Sequence, residues 1–117
     1  MREFIGVGGV ALTADEYGSE EHPCVVLLPG LTQTRKVWES AAKALAQAGR
    51  YVISLDLRGH GGSDSPKDCN YSLEAFMGDL VAVLSQLESR PVLVGSNFGG
   101  WIGLAAIGNT SAPIATG

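Results

Sequence analysis

Three short and almost wholly apolar runs, Cys24-Val25-Val26-Leu27-Leu28, Tyr51-Val52-Ile53-Ser54-Leu55 and Pro91-Val92-Leu93-Val94, each stop at a proline- or glycine-rich turn. Runs this continuous have no wet side, and strands buried on both faces belong to a parallel sheet. Between them the apolar period changes. Trp38, Ala41, Ala42, Leu45 and Ala48 recur at three- and four-residue spacing before Gly49, which predicts a helix over 35–48. Ser72 can cap a second helix over 72–88, with Glu74 in its first turn and Leu73, Phe76, Leu80, Val83, Leu84 and Leu87 as its apolar stripe. The small, apolar residues after Gly100 predict a third helix over 99–108. Strand and helix alternating in this way make an α/β fold with a parallel sheet at about 24–28, 51–55 and 91–95.

Right-handed crossovers that set 51–55 on one side of the first strand and 91–95 on the other must switch faces. Helix 35–48 is therefore expected on one face, and helices 72–88 and 99–108 on the other. Residues 2–17 alternate loosely around Gly8-Gly9 and predict an N-terminal hairpin. Residues 109–117, polar and small with Pro113, read as a loop tail. With 117 residues and no linker or repeat, the chain is expected to be one domain or part of one.

Several function classes drop out. A net charge of −4 with scattered Lys and Arg leaves no basic patch for nucleic acid. The apolar runs fall far short of the roughly 20 residues that span a bilayer, so no membrane partner is expected. Met1-Arg2-Glu3-Phe4 lacks a signal-peptide pattern, which makes the cytoplasm the default location. Cys24 and Cys69 are too far apart in sequence, and of the wrong spacing, for a zinc or redox motif; they read as free thiols, with no metal and no cofactor. Gly6-x-Gly8-x-x-Ala11 fits a dinucleotide fingerprint only on paper, since no helix follows it.

The sharpest chemical signal is a strand running into a glycine-flanked turn that opens a helix, Gly95-Ser96-Asn97-Phe98-Gly99. A strained turn of this kind lifts one side chain above the sheet edge, and glycines tolerate the crowding on either side. Three earlier blocks accompany it: Leu28-Pro29-Gly30-Leu31-Thr32-Gln33-Thr34-Arg35, Asp56-Leu57-Arg58-Gly59-His60-Gly61-Gly62-Ser63 and Tyr71-Ser72-Leu73-Glu74-Ala75-Phe76. Together, and in this order, the four blocks resemble the α/β-hydrolase superfamily, in particular its bacterial esterase, epoxide-hydrolase-like and cofactor-free haloperoxidase-like group. The resemblance runs over roughly residues 3–108 and implies the N-terminal portion of a single α/β-hydrolase domain, truncated after the elbow helix.

The same resemblance implies the site. Gly95 and Gly99 are the elbow glycines, Asn97 holds the nucleophile position, and the oxyanion hole is formed by the backbone N–H groups of Leu31 and Phe98. Family members carry serine, aspartate or cysteine where this chain has Asn97, whose amide is a very poor nucleophile. They also carry His-Gly where this chain has Pro29-Gly30. The family's acid and histidine follow the elbow, while His22 and His60 both precede it, so neither is expected to serve as the base. Asp56 and Arg58 are expected to brace their loop, and Trp38 and Trp101 to pack in the core. The implied activity is nucleophilic hydrolysis of an ester, an epoxide or a similar small apolar molecule. The chain itself is expected to be catalytically incompetent and to self-associate through an exposed sheet edge at 91–95. The alternative is a non-catalytic module that binds a small ligand on the hydrolase fold.

Overall fold

The computed structural model describes residues 1–30, 33–87 and 90–95, and within them five strands and two α-helices. The strands are β1 (Arg2–Ile5), β2 (Ala11–Tyr17), β3 (Cys24–Leu28), β4 (Tyr51–Leu55) and β5 (Val92–Gly95). The helices are α1 (Glu39–Gln47), between β3 and β4, and α2 (Leu73–Ser85), between β4 and β5. One mixed sheet runs in the order β1-β2-β4-β3-β5. β3 is parallel to both β4 and β5, whereas β2 joins the far side of β4 in antiparallel register, with Ala14 opposite Leu55.

The continuous apolar runs follow from burial on both faces. Val25 and Leu27 of β3 and Val52 of β4 pack with Ala42, Trp38 and Leu45 around α1. The alternate residues Cys24, Val26, Leu28, Ile53 and Leu55 face the larger core, where α2 contributes Phe76, Leu80, Val83 and Leu84 and the hairpin adds Phe4 and Leu12. The two helices thus lie on opposite faces, as the crossover argument requires. Cys24 is a buried free thiol that behaves as a small hydrophobe, and burial pushes its pKa up to about 11. Cys69 is free and exposed.

Two element expectations change. The continuous helix expected over 35–48 is a 3₁₀ turn at Arg35–Trp38 followed by α1, with Trp38 at φ −95° and ψ 2° between them. Its start is pinned from outside: the Thr34 hydroxyl accepts the Lys36 N–H, and the buried Asp56 carboxylate accepts the Arg35 N–H. Those anchors set a tighter turn than the α-helix. The second helix ends at Ser85, three residues short of the expected 88, and is capped at its start by the Ser72 hydroxyl. Gly49, at φ +89°, takes the left-handed conformation that ends α1. The hairpin turn is a 3₁₀ turn at Val7–Gly9, so the dinucleotide pattern spans a reversal between antiparallel strands. The expected helix 99–108 and tail 109–117 lie outside the described residues. Among the described residues, no helix is long and apolar enough to cross a membrane.

Candidate active site

In a parallel sheet, the loops leaving the carboxyl ends of the strands converge on one rim. The register sets two of them side by side, because Leu28 at the end of β3 pairs with Gly95 at the end of β5. The ends of β3 and β5 therefore lie side by side at the same level, β3 running on into Pro29-Gly30. Gly95, expected as the first elbow glycine, closes β5. Leu31, Asn97, Phe98 and Gly99, as well as Trp101, lie outside the described residues.

The turn after Gly30 is closed twice. The Gln33 N–H donates to the Gly30 carbonyl at 3.0 Å, and the Gln33 Oε1 accepts the Gly30 N–H at 2.8 Å. Gln33 therefore supplies a brace in the loop where the family's histidine is replaced by Pro29. The sequence reading missed this role, which a polar side chain three residues after the turn glycine could have suggested.

β4 leads into the second braced loop. Asp56 is fully buried, and its carboxylate accepts the Arg35 N–H at 2.5 Å, the Gly62 N–H at 2.8 Å and the Arg35 guanidinium. A side chain at Gly61 (φ +53°) would collide with that carboxylate, so the turn needs glycine for both its conformation and its space. Arg35 Nε lies 3.0 Å from Asp15 Oδ2, a charge contact without hydrogen-bond alignment. Burial works against the Arg35 charge, but Asp56 and Asp15 outweigh it and raise the guanidinium pKa. Burial likewise opposes ionisation of Asp15, yet Lys36 and Arg35 beside it hold its carboxyl below the usual range.

Arg58, 1% exposed, is the second anchor. Its Nε and Nη2 reach the Asp79 carboxylate at 2.7 and 2.8 Å, while Nη1 donates to the Asn70 carbonyl and Nη2 also to that of Val7. Asp79 in turn accepts the Val7 N–H at 2.8 Å. The Asp79 hydrogen bond is the main reason the Arg58 pKa is raised. His60 Nδ1 sits 2.8 Å from the Arg58 carbonyl. Asp56 and Arg58 therefore hold loops together, as expected, and every polar contact described for them is internal. Asp79 had gone unremarked, although an acid on the buried stripe of α2 between Phe76 and Leu80 was a legible signal for a buried partner.

A groove of about 370 Å³ between the Val7–Gly9 turn and residues 64–70 is floored by Arg58, whose three nitrogens are already bonded, and includes none of the expected site residues. Among the described residues, no cluster of three or more His, Cys, Asp or Glu side chains could hold a metal. Trp38 packs against the α1-side core, as expected.

Known proteins are similar to this chain in sequence and in fold. The AB hydrolase superfamily protein YfhM of Bacillus subtilis is 29% identical over 100 residues, which are 84% of this chain and 35% of that protein. Epoxide hydrolase A of Mycobacterium tuberculosis is 34% identical over 98 residues, 82% of this chain and 30% of its own length. The chain thus spans about a third or less of the length of the curated relatives it matches. A solved esterase from Exiguobacterium antarcticum superposes with a TM-score of 0.88 at 27% identity, over 97% of this chain and 41% of the esterase. The family model of the α/β hydrolase fold matches residues 23–115, and with the sheet order, the face-switching helices and the paired strand ends at Leu28 and Gly95 already in place, the chain belongs to the α/β-hydrolase family.

Proposed function

We propose that the chain is the N-terminal portion of a hydrolase domain for a small apolar ester, epoxide or similar substrate, and that with Asn97 at the nucleophile position it does not turn that substrate over. The observation that carries the reading is the Leu28–Gly95 register. It starts the two segments that bear Leu31 and Phe98 from adjacent strand ends, the starting point that two converging backbone N–H donors require. The names of the relatives, an epoxide hydrolase and an esterase, support the substrate class. No cofactor or metal enters this chemistry, a cytoplasmic location goes with the reading, and the described edge at β5 favours self-association.

A serine at position 97 needs a base to take its proton and an acid to orient that base. Such groups act as a unit, and losing the histidine alone costs on the order of 10⁶-fold in turnover. The test assays a p-nitrophenyl ester with four proteins: this chain, its Asn97→Ser variant, and each of these extended by a segment carrying a relative's acid and histidine. Turnover is expected only from the extended serine protein. A burst or steady turnover from the short serine variant would overturn the reading.

Asn97 also favours a second reading, a non-catalytic module that holds a small apolar ligand. Saturable binding by calorimetry in this chain, without turnover in any of the four proteins, would select it.

A further inference from the structure

Gln86 follows the last turn of α2, and its side chain reaches across to β1. Its Oε1 accepts the Ile5 N–H at 3.3 Å, and its Nε2 donates to the Ile5 carbonyl at 3.0 Å. Nε2 also donates to the Ala82 carbonyl at 2.8 Å, which ties the amide to its own helix.

The parity of the ladder shows which way Ile5 faces. The Gly6 N–H bonds to the Val10 carbonyl at 2.8 Å, one step beyond the Ile5–Ala11 pair. Bonded and non-bonded pairs alternate in an antiparallel ladder. Arg2 and Phe4 therefore direct their backbone groups toward β2, while Glu3 and Ile5 direct theirs outward. Among the described residues β1 has one strand neighbour, so these outward groups form a sheet edge. The Gln86 amide meets both outward groups of Ile5 in the way a neighbouring strand's peptide would.

We propose that Gln86 is a strand-mimicking plug that closes the β1 edge against strand addition by a second copy of this chain. With Ile5 occupied, Glu3 is the one outward-facing residue of β1 left to pair. A single bridging residue cannot offset the ordering of an added strand. Freeing Ile5 doubles the available ladder and offers a β-branched side chain, 53% exposed, for a cross-strand contact. Arg2 reinforces the plug, since its Nη2 lies 3.4 Å from the Gln86 carbonyl and its guanidinium lies over the Phe4 ring.

Gln86→Met keeps the side chain's length and helix tolerance but removes the amide. Amide exchange read by NMR should accelerate at Ile5 by about tenfold, the scale of one hydrogen bond, while the inward-facing Phe4 amide keeps its rate. Sedimentation velocity should show association beyond that of the parent chain, and adding Ile5→Lys should reverse the increase. Gln86→Asn, polar but too short to reach, should behave like the Met variant and serves if that variant does not fold. Parental exchange at Ile5, or faster exchange with parental association, would overturn the proposal.

Discussion

Asp79 shows how much one side chain can carry. It takes two hydrogen bonds from a guanidinium that is almost entirely out of water, and a third from the Val7 backbone. A buried ion pair contributes little over a well-packed apolar pair, but removing one partner strands the other. Asp79→Ala is accordingly expected to cost about 3–5 kcal/mol in urea-induced unfolding, a large part of the ~5–15 kcal/mol typical of a domain. Asp79→Asn, which keeps an acceptor for Arg58, should lose less. A loss under ~1 kcal/mol for the alanine variant would mean that Arg58 finds another partner or reaches water. Gly6 belongs to the same cluster, because a side chain there would run into the Asp79 carboxylate.

At the scale of an element, α2 is held in two unequal ways. The Ser72 hydroxyl accepts the Ala75 N–H at 3.2 Å and satisfies one of the orphan donors of the first turn. Leu80, 1% exposed, fills the core beneath β3 and β4. Ser72→Ala is expected to cost about 1 kcal/mol and Leu80→Ala about 2–5 kcal/mol, because a cap lost at the surface is replaced by water while a cavity in the core is not. Paired denaturation curves check this ranking, and equal losses would show that α2 is held mainly by its end. The split at Trp38 belongs to the same scale. Periodicity legibly marked the apolar side of 35–48, but the first turn is set by a carboxylate 21 residues along the chain, which no local pattern can report.

The sheet as a whole ends, among the described residues, in two unlike edges. β1 carries Arg2 and Glu3 and is occupied at Ile5 by Gln86. β5 carries no charge and leaves Val92 and Val94 each 37% exposed on the α1 face of the sheet. An uncharged apolar edge is a template for further pairing. We therefore expect concentration-dependent self-association through β5, weakened by Val94→Lys. Analytical ultracentrifugation of both proteins is the check. Equal association would move the contact elsewhere.

By itself the sequence determined the five described strands, the two described helices, the opposite faces those helices cover and the family, because apolar period, turn residues and crossover handedness are local or nearly local properties. It also marked Asp56 and Arg58 as braces, since charged residues in a glycine-rich turn need partners nearby. The tertiary structure decided what depends on contacts distant along the chain. It seated β2 antiparallel on β4, paired Leu28 with Gly95, placed Asp79 under Arg58, and set Gln33 and Gln86 against backbone groups. A backbone hydrogen bond carries no mark of its partner in the sequence, so which strand, carboxylate or amide supplies it is fixed only when the chain has closed around its core.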